Sequence, residues 1–134
     1  MSVRCFRDLR VWQSSMDLVE SVYDATRSFP RSEARNLVSQ MTRAAVSVPS
    51  NIAEGHTREH TKEYLNHLSI AQASLAELET QLELACRLRY ISEDRWTRLQ
   101  RSATSLGRQI YALRNAVRSA SDRPPPPGPR PPNG

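Results

Sequence analysis

Apolar side chains recur along the chain at alternating three- and four-residue intervals in four separate stretches. The first runs Leu9, Trp12, Met16, Val19, Tyr23, and the second Ala34, Val38, Met41, Ala45, Val48, Ile52. The third runs Tyr64, Leu68, Ala71, Leu75, Leu78, Leu82, Ala85, and the fourth Trp96, Leu99, Ala103, Leu106, Ile110, Leu113, Val117. Each is a seven-residue repeat with two apolar positions, the seam that packs helices nearly parallel at about 20°. A strand would alternate every second residue, and none of these does. The punctuation agrees. Phe29-Pro30-Arg31-Ser32 separates the first two stretches, and Ser32 can cap the second. Gly55 closes the second, and Thr61 can cap the third. Ser92-Glu93-Asp94 opens the fourth with a cap and two acids in the positive first turn. The spacing predicts helices near 8–28, 33–54, 62–88 and 93–119, the longest about 40 Å. Their short connections suit antiparallel neighbours. The predicted fold is all-α, an antiparallel up-down-up-down four-helix bundle.

Pro49 lies inside the second repeat, where it removes one backbone donor and crowds the carbonyl of Ala45. Either the helix stops and restarts with Ser50 or Asn51 as a cap, or it kinks. The apolar repeat continues through Val48 and Ile52, which favours the kink. Seven of the nine prolines lie between Pro124 and Pro132. Proline lacks the amide donor and locks its own backbone angle. The expected organisation is therefore a bundle over 1–120 and a disordered, partly polyproline tail over 121–134.

The composition of the 134 residues narrows the class. Outside the tail only two prolines and two glycines remain, too few turn residues for an all-β domain. No apolar run approaches the ~18 residues of a membrane span. Met1 to Arg10 lacks the apolar core of a signal peptide. Cys5 and Cys86 make no disulfide framework, and Cys86 falls on an apolar helix face as a small core residue. These features predict a reduced, cytoplasmic protein with no membrane association. Of its 19 basic residues only Lys62 is lysine. Arginine suits phosphate recognition, but a GC-rich genome produces the same bias without selection for function.

Catalytic chemistry finds little support. There is no G-x-S-x-G elbow and no glycine-rich phosphate loop. His56, His60, Glu63 and His67 would share a zinc-binding face only if one helix ran through all four, and Gly55 and Thr61 place His56 and His60 in a loop. Glu77, Glu79 and Glu83 read as a solvated or ion-paired face. The sequence thus predicts no catalytic residue, metal, cofactor or small-molecule substrate.

Charge is more informative. The first predicted helix carries two arginines against four acids, and the third two basic residues against four acids. The second is neutral. The fourth has six arginines against Glu93 and Asp94, and no acid from Arg95 to its predicted end. At about 100° per residue, Arg101 and Arg108 point away from the core, Arg98 and Arg118 flank them, and Arg95 and Arg114 lie beside the apolar stripe. The stripe pair can be neutralised by acids of the neighbouring first and third helices. The outer residues are candidates for phosphate contacts or a subunit interface. Arg98, Arg101, Arg108 and Arg118 are the predicted nucleic-acid-binding residues, with Arg43 a weaker addition. No set of base-stacking aromatics accompanies them, which argues against sequence-specific single-strand reading.

The stretch Arg43-Ala44-Ala45-Val46-Ser47-Val48-Pro49-Ser50-Asn51-Ile52-Ala53-Glu54-Gly55 resembles the hallmark of a bacterial family. So do Lys62-Glu63-Tyr64-Leu65, Ser74-Leu75-Ala76-Glu77-Leu78-Glu79-Thr80-Gln81-Leu82 and the opening Phe6-Arg7-Asp8-Leu9-Arg10-Val11-Trp12-Gln13. The family comprises the four-helix bundle proteins of intervening sequences in 23S ribosomal RNA genes, to which the accessory proteins of diversity-generating retroelements are related. The resemblance covers about residues 4–118. It implies a ring-shaped homopentamer and, in the retroelement branch, binding to a reverse transcriptase and nucleic acid. A proline within the second helix recurs in the family. The resulting expectation is a homo-oligomeric, non-enzymatic protein that contacts RNA or an RNA-bound partner. The alternative is a protein-interaction scaffold without nucleic acid.

Overall fold

The computed structural model describes residues 5–122. A 3-10 turn at Phe6–Asp8 leads into α1 (Arg10–Thr26), and another at Arg31–Glu33 precedes α2 (Leu37–His56). Two longer helices follow, α3 (Thr61–Arg87) and α4 (Glu93–Asp122). α1 touches α2 and α4, and so does α3, whereas α1 and α3 do not meet and neither do α2 and α4. The helices therefore form a square with α2 and α4 on one diagonal. Cross-helix pairs show their directions. Ser47 and Asn51 of α2 meet Ser74 and His67 of α3. Gln100 and Arg114 of α4 meet Glu79 and Gln72 of α3. Rising numbers on one helix meet falling numbers on the next, so α3 runs antiparallel to both α2 and α4, as the short connections predict.

Met41, Val48 and Ile52 of α2, Leu68, Leu78 and Leu82 of α3, and Leu106 and Ile110 of α4 are almost wholly removed from water. Burying one such side chain contributes about 1.5–3 kcal/mol. Helix propensities differ by at most about 0.7 kcal/mol for ordinary residues. Burial therefore decides which way each helix faces.

Burial also corrects the first predicted stripe. The core side of α1 is Val11, Ser15, Leu18, Val22 and Ala25. The first four each precede by one residue the expected Trp12, Met16, Val19 and Tyr23, a rotation of about 100°. Both sets obey the heptad, so periodicity does not choose between them. The smaller set lets α1 approach its neighbours closely. Ser15 is tolerated because its Oγ donates to the Trp12 carbonyl at 2.6 Å. Trp12 and Val19 remain half-buried against the core, while Met16 and Tyr23 are 37% and 48% exposed.

Helix ends differ from expectation where caps decide them. α2 starts at Leu37, not at 33, and Ala34 is exposed. Ser32 lies in the 3-10 turn and caps nothing; the Leu37 amide instead donates to the Glu33 carboxylate at 3.4 Å. Thr61 is the first residue of α3 rather than its cap. Ser92 does cap α4, accepting the Arg95 amide at 3.1 Å. α4 runs on to Asp122, so Ser121 and Asp122 belong to the helix. The rest of the expected tail, 123–134, lies outside the described residues.

α2 is unbroken through Pro49, which is buried among the core residues. Gly55 does not terminate α2 but is its next-to-last residue. A Cβ there would sit 2.9 Å from both His67 Cβ and Tyr64 Cδ1, so glycine is what allows α3 to come so near. At the other end of α3, Arg89 has φ 63°. Its amide donates to Cys86 at 3.0 Å and the Tyr90 amide to Ala85 at 2.9 Å. This pair of bonds closes a helix through a left-handed residue, a position that glycine usually fills.

Replacing Gly55 by Ala should destabilise the bundle by about 1–3 kcal/mol in urea denaturation, since overpacking outweighs a helix-propensity gain of at most about 1 kcal/mol. Arg89→Gly should act oppositely. Relief of roughly 1–2 kcal/mol of left-handed strain exceeds the roughly 0.5–1 kcal/mol entropic penalty of glycine. A raised melting temperature would register that gain.

Candidate nucleic-acid interface

The six arginines of α4 divide as their angular positions require. Arg95 forms an ion pair with Asp24 of α1 and is half-buried. Arg114, also half-buried, donates from Nη1 to Gln72 Oε1 of α3 at 2.7 Å. The first of these seam arginines is neutralised by an acid of α1. The second is held by an amide, so its charge is not cancelled by α3 in the way that the helix sums suggest.

Arg98, Arg101, Arg108 and Arg118 are exposed, and none makes an ion pair among the described residues. Within α4 they span 21 residues, about 30 Å of helix. They do not form one row. Arg98 borders a cleft against α1 with Ser21 and Asp24, and Arg101 a second with Ser14 and Asp17. Carboxylates of α1 thus share the space beside these two and weaken their field. Arg108, two turns beyond Arg101 at nearly the same angle, borders the other side and lines a groove of ≈ 460 Å³ against α3. Arg43 is exposed on α2, diagonal to α4 across the bundle. Within one chain the fold does not bring it to the other four.

Two features of this surface escape a reading by pattern. Tyr111, on the α3-facing flank beside Arg108, is 60% exposed. The heptad marks it as neither core nor charged, so it carries no sequence signal. The second feature is a polar ladder inside the α2–α3 seam. Ser47 Oγ and Ser74 Oγ lie 2.8 Å apart. Asn51 donates to the Ser47 carbonyl at 2.9 Å and faces His67 Nδ1 through Oδ1 at 3.0 Å. Glu54 stands 3.8 Å from the same imidazole nitrogen. His56, the last residue of α2 rather than a loop residue, has Nδ1 3.3 Å from the Tyr64 hydroxyl. His56 and His67 are therefore occupied by different partners. No group of three or more His, Cys, Asp or Glu able to hold a metal occurs among the described residues. No helix among them is long and apolar enough to cross a membrane.

The family model of the 23S rRNA-intervening sequence protein matches residues 7–112. The chain belongs to that family. The matched span holds Arg43, Arg98, Arg101 and Arg108 and stops short of Arg118. It also holds the whole Ser47–Gly55 stretch, of which Ser47, Asn51 and Gly55 lie at the α2–α3 contact while Ser50 and Glu54 are exposed. No curated protein matches the chain. A crystal structure of a protein of unknown function from the S23 ribosomal protein family of Bacteroides thetaiotaomicron is similar in fold. It shares 21% identity at a TM-score of 0.71, covering 78% of this chain and 97% of that one.

Tyrosines test the packing that presents α4. Tyr90 joins the two loops at one end of the bundle, its ring 5.3 Å from that of Phe29 and its hydroxyl donating to Glu33 Oε1 at 3.2 Å. Burial, and then the Glu33 carboxylate, which repels a phenolate and accepts a hydrogen bond from the neutral hydroxyl, raise this phenol above the usual 10.0. Burial alone raises Tyr64 above 10.0. Raised folded values mean that stability is fully present below pH 10 and declines as pH rises through them. Spectrophotometric titration should show two phenols ionising late. In Glu33→Gln protein, the late phase of Tyr90 should move towards lower pH.

Proposed function

We propose that the protein is a non-enzymatic, homo-oligomeric binding protein of the bacterial cytoplasm whose α4 surface holds RNA through its phosphates. The observation that carries this reading is the set of exposed arginines on α4 without ion-pair partners among the described residues, next to two seam arginines that do have partners. A planar guanidinium with free donors matches the bidentate geometry of a phosphate. Such contacts release counterions and give affinity without sequence reading. Arg98 and Arg101 stand beside Asp24 and Asp17, and Arg108 shares its groove with Glu79 of α3, so Arg118, which borders none of these clefts, should contribute most. Arg43 joins this surface only if a neighbouring subunit brings it there.

Self-association is supported by the displaced stripe of α1. Met16 and Tyr23 are exposed, Trp12 and Val19 are half-buried, and Val46 of α2 is 40% exposed. A ring of five rests on the family resemblance, and would multiply weak phosphate contacts through effective concentration. The same stripe favours the second reading, a protein-interaction scaffold without nucleic acid.

The Arg101→Glu/Arg108→Glu double variant should bind single-stranded RNA at least tenfold more weakly in a low-salt filter assay. Its log–log salt slope should shrink by at most about 1.4, two single-strand phosphates' worth. Affinity equal to wild type would make the assignment of these residues wrong. In sedimentation velocity, Met16→Glu/Tyr23→Glu protein should run as a smaller species than wild type while keeping its helical circular dichroism.

A further inference from the structure

The groove between α3 and α4 carries a more specific assignment. Its floor is apolar, made by Leu75 and Ala76 of α3 and Gly107 of α4, and its rim holds Arg108, Tyr111 and Glu79. Its volume of ≈ 460 Å³ falls within the about 300–1,000 Å³ of small-ligand sites. Tyr111 stands 60% exposed at the rim, the most exposed large apolar side chain among the described residues. Arg108 precedes it by three residues on the same helix. Arg118 follows by seven, about 10 Å further along.

We propose that this groove seats one base of a bound single-stranded nucleic acid, with Tyr111 as its stacking face and Arg108 and Arg118 on the flanking phosphates. The inference rests on the phosphate-binding reading of α4 and adds a base subsite to it. Two observations favour a base, rather than a phosphate, inside. Leu75, Ala76 and Gly107 give an apolar face to a flat ring, beside the Thr104 hydroxyl, which can donate to a base carbonyl. Glu79 at the rim repels a phosphate and can accept a hydrogen from a base amino or imino group; its Oε1 already takes the Gln100 amide at 3.4 Å. A single aromatic platform selects single strands over duplexes, whose bases are already stacked, but does not distinguish one base from another.

Gly107 supplies an independent lever on the same space. A Cβ at that position would meet only Leu75 Cδ2, at 3.6 Å, an ordinary contact. Gly107→Ala therefore fits without a shift. Gly107→Leu extends into the groove while improving helix propensity.

The experiment is a fluorescence anisotropy titration of the full chain with a labelled oligo(U) strand and, in parallel, a labelled RNA duplex, across a salt series. Tyr111→Ala should weaken oligo(U) binding about tenfold. The salt slope should stay unchanged, since no phosphate contact is removed, and so should duplex affinity. Tyr111→Phe should bind as wild type. Gly107→Leu should reproduce the Tyr111→Ala loss, and Gly107→Ala should not. Wild-type oligo(U) affinity in Tyr111→Ala, or an equal loss for strand and duplex, would overturn the base subsite. If Arg101→Glu/Arg108→Glu still lowers the salt slope in that case, the phosphate reading survives. Wild-type protein that binds neither probe at low salt overturns both. Unchanged circular dichroism of the Tyr111 and Gly107 variants verifies that each is folded.

Discussion

Where Gly55 faces His67 and Tyr64, α2 and α3 come closer than a methyl group would permit. The rest of the bundle is arranged around this contact. The polar ladder of Ser47, Ser74, Asn51 and His67 runs along the same seam. Each such hydrogen bond is worth only about 0.5–1.5 kcal/mol net, but a buried group left unpaired costs about 1–3 kcal/mol. The ladder therefore acts mainly by penalising every other alignment of the two helices. A slide of one turn would strip several polar atoms of partners at once and drive side chains into the place where Gly55 has none. The α2–α3 register follows from that penalty. α3 in turn supports α4 and so determines where the arginine-rich helix stands.

The charge of the molecule is organised by the same geometry. α4 spends Arg95 and Arg114 on its two neighbours and presents the remaining arginines outward. An α-helix cannot turn all six away from the core, because its apolar stripe dictates six different angles. The two flanks then acquire different characters. Towards α1 the arginines share clefts with Asp17 and Asp24. Towards α3 an arginine borders an apolar floor and an aromatic rim. Net charge says nothing of this division. It depends on which helix lies on each side.

Much of this architecture is legible in the residues themselves. The heptads of α2, α3 and α4 name the buried set, because no second face of those helices carries an equally regular apolar repeat. In α1 two apolar faces compete, and the bulkier, more conspicuous one is not the core. Pattern reading weighs side-chain hydrophobicity, whereas the fold weighs how near two backbones can come, and Val11, Ser15 and Ala25 permit the nearer approach. Caps show the same limit. Ser92 is read correctly because its partner amide is three residues away. Ser32 and Thr61 are not, because the turns around them depend on where the adjoining helices sit.

The amino-acid sequence by itself determined the class of fold, its four helices and the concentration of arginine in the last of them, since periodicity and charge are properties of a chain one helix at a time. Only the tertiary structure decided which face of α1 is buried and that Gly55 serves proximity rather than termination. It also separated Arg43 from the α4 set and placed Tyr111 at the edge of a groove. All of these are relations between helices. A single helix has no means of specifying what stands opposite it until packing brings the partner there.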